Sequence, residues 1–526
     1  MSKYFLVGAI VVDLTFLLGC GGQDSPAESA GPIGDAGVIA VHTDQADIDA
    51  GRIQSDELIE RGLALMVASF NTLDGAGRPE TSGTGEPRSR REAPDNFNRI
   101  SSPDSNACSG CHNLPGPGGG GDNVANVFVL AQAHEFVTFG EDQPLLTLQN
   151  VGNERNTLGM FGSGFIELLA REMTFDLLEI RDQALEEAAS TGNAVRRELV
   201  TKGVHFGEIT IRPDGSLDAS EINGVDDGLI IKPFHQKGAV ISLRQFTDNA
   251  MNHHHGMQAA ERFGDGVDPD GDGIVNELTR GDLTAITIFQ ATLPAPGQVI
   301  PQNQAAQEAV DRGTQLFSDI GRAVCHVSQL RLNNPTFTEP NPFNPPGNLQ
   351  LSDVPQPLAI DLTKDGPSPH LERESDGSVL VPVFTDLKRH KMGDVLNNEK
   401  LEQDGIPTDE WLTRKLWGFA SEPPFLHHGR ATLISEAILM HGGEAQQSRD
   451  IFGSLSPTDQ AAVVEFLKSL QILPDEPSNR VAAAALTGSA GSGVRTLEWA
   501  TYGVLVAVLL VASLGAVRRN RVVRRK

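Results

Sequence analysis

The run Cys108-Ser-Gly-Cys111-His112 constrains this chain more than any other feature. Its spacing is the one in which two thiols bond the vinyl groups of a haem and the adjacent imidazole takes an axial position on the iron. The porphyrin therefore sets the distances within the motif. A thioredoxin-like dithiol should follow a strand in a βαβ unit, and half of a zinc site needs two further ligands. Here the motif lies in a loop between Asn106 and the glycine-rich run at 116–121, and the chain has no second Cys-x-x-Cys. The reading is haem c, attached through Cys108 and Cys111, with His112 as proximal iron ligand.

The remaining two of the four cysteines are read in the same light. Cys325 precedes His326 in Gly321-Arg-Ala-Val-Cys325-His326, a haem motif with Arg322 in place of its first Cys. Gly313, Leu316, Phe317 and Ile320 before it fit one helix face, entered through Asp311-Arg312, while Glu60-Arg61-Gly62 opens a similar apolar stretch ahead of the first motif. An internal repeat is expected. It implies a second haem, held by one thioether from Cys325 and ligated by His326. Cys20 ends an apolar N-terminal run in Leu-Leu-Gly-Cys and reads as the lipidation site of a lipoprotein-type signal, with a plain uncleaved anchor as the alternative.

The 526 residues leave room for several domains. A net charge of −27 repels nucleic acid and anionic lipid, so neither is an expected partner of the body of the chain. Residues 499–517 carry no charge over a length that crosses a bilayer, and the basic tail at 518–526 should stay cytoplasmic. The expected layout is a signal segment at 1–20 and a Gly-, Ala-, Ser- and Asp-rich tether at 21–55. A first cytochrome c-like unit follows at 56–300 and a second at 301–475, then a linker at 476–498, the transmembrane helix and the tail. The fold class expected is mainly α, with a small β-hairpin insertion near residues 206–229. Helices are expected near 56–70, 124–132 and 161–184. A last helix should follow Ser456-Pro-Thr-Asp459, an N-cap with Pro at the first helical position. This layout implies a membrane-anchored protein of the bacterial cell envelope, facing the periplasm.

Further runs extend the pattern: Asn153-Glu-Arg-Asn-Thr157, Phe234-His-Gln-Lys-Gly238, Asn252-His-His-His-Gly256, Lys388-Arg-His-Lys-Met392-Gly-Asp, Pro424-Phe-Leu-His427-His-Gly-Arg-Ala431 and His441-Gly-Gly-Glu-Ala445. With them, residues 56–473 resemble the bacterial di-haem oxidoreductases related to di-haem cytochrome c peroxidases. Arg322 and His428 depart from that family's pattern, which has Cys and Asp there. The resemblance implies a division of labour, in which one haem meets hydrogen peroxide and the other relays electrons from a small redox donor. Met392 is the candidate sixth ligand of the relay haem, with His390 as its nearest rival, and His427 is a second candidate distal ligand. His235, His254 and Glu167 are candidates for acid–base work. Trp417 reads as a core residue, with a place between the haems as the alternative.

Asp268-Pro-Asp270-Gly-Asp272-Gly273 starts like a calcium loop, with Asn276 and Glu277 as further candidate ligands. Thr279 stands at position twelve, where that loop needs a bidentate Glu. The leading function is therefore a di-haem peroxidase that takes a small-molecule oxidant and electrons from a small redox protein. The alternatives are a non-catalytic electron-transfer cytochrome and a haem-based sensor or assembly protein.

Overall fold

Two helix crossings frame the molecule, and a single glycine makes each possible. The computed structural model describes residues 34–77, 105–122, 124–128, 152–400 and 402–473. In the first crossing the helix Ser55–Val67 buries Leu58, Leu65 and Met66 against the helix Arg280–Ala291. A Cβ on Gly62 would lie 2.1 Å from the carbonyl oxygen of Ala285, so only glycine lets the backbones meet. In the second, the helix Gln304–Asp319 lies on Pro457–Ser469, and a Cβ on Gly313 would fall 1.9 Å from the carbonyl of Ala462. The Ser456 side chain accepts the Asp459 amide with Pro457 in the first turn, as the sequence implied. Gly313→Ala should cost about 1–3 kcal/mol through overpacking. A urea midpoint equal to that of the unsubstituted protein would contradict so close a crossing.

The 29-residue helix Ser163–Thr191 runs through the core, burying Phe165, Leu169, Met173 and Leu177 before Gly192 ends it in a left-handed cap. Its Glu167 is fully buried. The carboxylate pairs with Arg171 and accepts the Leu243 amide at 2.7 Å and the Asn341 side-chain amide at 2.7 Å. It thus ties this helix to the start of Leu243–Ala250, the helix that leads to the histidine triplet. Losing one partner of such a buried pair costs several kcal/mol. Trp417 packs in the core, edge-on to Phe165 at 6.4 Å and over Gly162.

The expectation of a mainly α fold is corrected: among the described residues helix accounts for 34% and strand for 15%. The strands form six small sheets among the described residues, five of them two-stranded and one three-stranded. The loops that run between cavity-framing helices satisfy their backbone groups by pairing with each other, because their glycines and prolines interrupt helix. The apolar stretch at 124–132, read as helix, contains the strand Val124–Phe128, antiparallel to Gly152–Asn156. A short apolar run does not distinguish the two by periodicity. The hairpin begins earlier than expected, at Val195–Thr201 and Val204–Ile211, with Leu217–Asp218 as a third strand. Charged residues between Val195 and Leu199 hide the alternation of its first strand, and Lys202 and Gly203, both at positive φ, make its turn.

Met1–Ala36 form one unit and Gly37–Lys526 another; the features described below belong to the second. No helix among the described residues is long and apolar enough to cross a membrane. Cys20, residues 499–517 and the basic tail lie outside the described residues.

Candidate functional site

Both haem motifs adopt the same backbone shape. Cys108–Gly110 forms a single 3₁₀ turn, after which the amides of Cys111 and His112 bond the Cys108 carbonyl at 3.1 and 2.9 Å. Arg322–Val324 forms the matching turn, the Cys325 amide bonds the Arg322 carbonyl, and the His326 amide bonds that same carbonyl at 2.9 Å. Arg322 therefore occupies the structural place of Cys108. Cys108, Cys111 and Cys325 are all outside disulfides. Behind the first motif, Gly121 comes so close that a Cβ would lie 2.0 Å from the Cys111 carbonyl, so the glycine-rich loop folds back directly onto the motif.

The first motif opens on a cavity of about 270 Å³ lined by Cys108, Cys111, His112, His235, His254 and Arg155. His112 Nδ1 lies 3.2 Å from the Gly119 carbonyl, and burial pushes its pKa down to about 4. A neutral ring that donates from Nδ1 keeps the Nε2 lone pair for a metal. The histidine triplet lies in the wide π-type turn Met251–His255, which continues Leu243–Ala250. Such turns concentrate at functional sites because they rotate successive side chains out of helical register. His254 and His255 reach the cavity wall. His253 is buried. His255, which the sequence offers with the rest of the triplet as an iron ligand or acid–base group, sets Nε2 3.4 Å from Cys108 Sγ while Nδ1 faces the Ser105 carbonyl at 2.6 Å. It holds the first thiol in place.

His235 has φ +63°, a left-handed conformation that strains a non-glycine residue and is concentrated at functional sites. Its ring stands edge-on to Phe246 at 5.3 Å, and the Gln403 side-chain amide approaches its Nδ1 at 3.2 Å. Gln403 in turn accepts Arg155 Nη2 at 3.1 Å, and Arg155 pairs with Glu399. Burial, then the Arg155 charge and His254, push the His235 pKa down to about 3, so the ring is neutral near pH 7. Glu167 lies in the ion-pair network described above and is absent from the lining of this cavity.

A second cavity, of about 450 Å³, brings together Arg322, Cys325, His326, Met392, His427 and His441. His326 repeats the His112 arrangement: Nδ1 faces the Phe384 carbonyl at 3.0 Å, and burial pushes the pKa down to about 4. His427 stacks on Trp411 at 3.6 Å and sets Nε2 2.7 Å from Asn398 Oδ1; burial and the neighbouring His428 hold it neutral. His441, quoted above only as part of a resemblance, has Nδ1 2.7 Å from the Ala437 carbonyl, and burial pushes its pKa down to about 3. His390 is different. Its ring nitrogens face Asp386 at 2.8 Å and Glu444 at 2.7 Å. Burial opposes its protonation, yet the bonds to Asp386 and Cys325 prevail and raise the pKa to about 11. As it stands, each nitrogen of His390 is engaged by a carboxylate.

In the acidic loop, Asp268 accepts the amides of Gly271, Asp272 and Gly273 at 2.7–3.2 Å. Asp268, Asp270 and Asp272 each bring an oxygen within 4.8 Å of the other two. Asn276 accepts the Gly266 amide at 2.7 Å, and Glu277, which accepts the Gln258 amide at 2.7 Å, is not part of that cluster.

The family model described as "Di-haem oxidoreductase, putative peroxidase" matches residues 371–470. That stretch supplies much of the second cavity, including Met392, His427 and His441. That segment is similar to the di-haem oxidoreductases. Both Cys-His turns, at 108–112 and 322–326, lie N-terminal to the matched residues. No curated protein matches the chain. Among solved structures it is similar to Kuenenia stuttgartiensis hydrazine synthase pressurized with xenon, at 14% identity and a TM-score of 0.25, over 64% of this chain and 99% of that one. A likeness that weak bears on neither fold nor function.

Proposed function

We propose that this oxidoreductase is a haem c peroxidase that reduces hydrogen peroxide in the first cavity with electrons passed through the second. The observation that carries the reading is the convergence of His235, Arg155 and Gln403 on the cavity of Cys108, Cys111 and His112. Haem iron supplies an open coordination position and the redox equivalents. The chain supplies the rest. A neutral His235 accepts a proton from one peroxide oxygen and returns it to the other, work that needs an imidazole uncharged at neutral pH. Arg155, fixed by Glu399 and Gln403, presents positive charge where negative charge develops. In the second cavity Cys325 and His326 would attach and ligate the second group, and Met392 would offer it a thioether, which favours reduced iron.

The test is peroxide-dependent oxidation of a reduced small redox protein by the haem-loaded chain, with spectra of the oxidised and half-reduced states. Turnover with a high-spin iron in one of these states supports the reading. A fully loaded protein that shows no high-spin iron in either state is an electron-transfer cytochrome instead.

Calcium at the acidic loop is a separate part of the proposal, supported by the convergence of Asp268, Asp270 and Asp272. At about one hundred times its Kd, an ion that binds only the folded chain adds about 2.7 kcal/mol of stability. Calorimetry should therefore show a melting temperature that rises with added calcium and falls with a chelator. An Asp270→Asn protein with an undiminished calcium response would remove the loop from the account.

A further inference from the structure

A small chamber of about 80 Å³ lies beside both haem cavities. It shares Leu158 and Met160 with the wall of the first and Thr413 and Arg414 with the wall of the second, and Gln236 belongs to all three. Two cations line it, Arg414 and Lys415. Lys415 keeps part of its stem exposed, but its Nζ is shut off from solvent and has no hydrogen-bond partner; the same holds for Nη1 of Arg414. Glu422 takes only the other arm of Arg414, accepting Nη2 at 2.8 Å and the Gly159 amide at 3.3 Å. Two positive groups thus face one carboxylate. Buried ammonium and guanidinium groups left without partners are costly, and burial accordingly pushes the Lys415 pKa down to about 8. The site is built for a further anion.

We infer that Arg414 Nη1 and Lys415 Nζ bind haem propionate carboxylates in the chamber between the two cavities. A haem has one edge carrying the vinyl groups that Cys thiols take and another carrying two carboxylates. With the thiol edges fixed at Cys108/Cys111 and Cys325, the acidic edges need buried cations, and these two are placed where both cavities border one chamber. A planar guanidinium suits a carboxylate and an ammonium supplies a compact charge. The arrangement does two things. It orients the cofactors edge to edge, and it holds positive charge near iron, which favours the reduced state.

This inference rests on the haem reading, and the experiment separates the two. Holoproteins carrying Lys415→Gln, Arg414→Gln or Lys415→Arg are compared with the unsubstituted chain in haem content, by pyridine haemochrome, and in midpoint potential, by spectroelectrochemical titration. Expected are an unchanged haem count in all four and a loss of about tenfold in the reduction equilibrium of at least one haem in each glutamine variant, ~59 mV lower for one electron. Lys415→Arg, which keeps the charge, should return that potential to its original value. The unsubstituted protein with no haem would sink the functional reading itself. Normal haem content with unshifted potentials in the glutamine variants overturns the propionate site alone, as does a Lys415→Arg protein displaced as far as Lys415→Gln.

Discussion

Cys325→Ala should reduce the haem that stays with the chain after denaturing extraction from two per molecule to one, while the folded protein still carries the second group through His326. The expectation follows from the second motif's backbone. Its turn repeats that of the first, but the position equivalent to Cys108 holds Arg322, whose Nη2 faces the Ile438 carbonyl at 3.3 Å. Among the described residues Cys325 is therefore the sole thiol there, and one thioether would be the whole covalent attachment. The converse substitution completes the argument: Arg322→Cys puts a second thiol in the shape that Cys108 already uses, and the haemochrome band of the second haem should move toward that of a two-thioether haem. Two covalently retained haems in Cys325→Ala would show that the second group is attached elsewhere.

His235→Ala should lower kcat/KM for peroxide by about 10²–10⁴, the usual range for losing a positioned acid–base group. The haem count should not change, because Cys108, Cys111 and His112, the proposed attachment and ligand residues of the first haem, are left intact. The effect should exceed that of Glu167→Gln, whose carboxylate is spent on Arg171, Asn341 and the Leu243 amide and whose loss should show as reduced stability. Stopped-flow measurement of peroxide consumption settles the comparison. A His235→Ala enzyme as fast as its parent would transfer the proton role to His254, the other imidazole on that wall.

The chemistry that local spacing carries was readable before any coordinates. Ser456-Pro457 caps its helix as read, and Cys108, Cys111 and His112 close on a single turn. Those signals live within a few residues of each other. The contacts that give each histidine its task do not. His255 meets Cys108 across 147 positions and His235 meets Gln403 across 168, so no periodicity reports them. Nor could the sequence tell that His390 sits between two carboxylates, since Glu444 arrives from 54 residues away. The strand at Val124–Phe128 was misread for a similar reason: its partner Gly152–Asn156 lies beyond the range in which apolar spacing discriminates.

Gln236 belongs to the walls of both cavities and of the chamber between them; its side chain donates to the Asn156 carbonyl at 3.1 Å, and its own carbonyl accepts the Leu412 amide at 3.1 Å. One residue thus bonds to Asn156 on the side of the first centre and to Leu412 on the side of the second. A substitution that pulls Gln236 away from the Asn156 carbonyl would therefore loosen its hold on the Leu412 amide as well, so that a change made at one cavity wall is felt at the other.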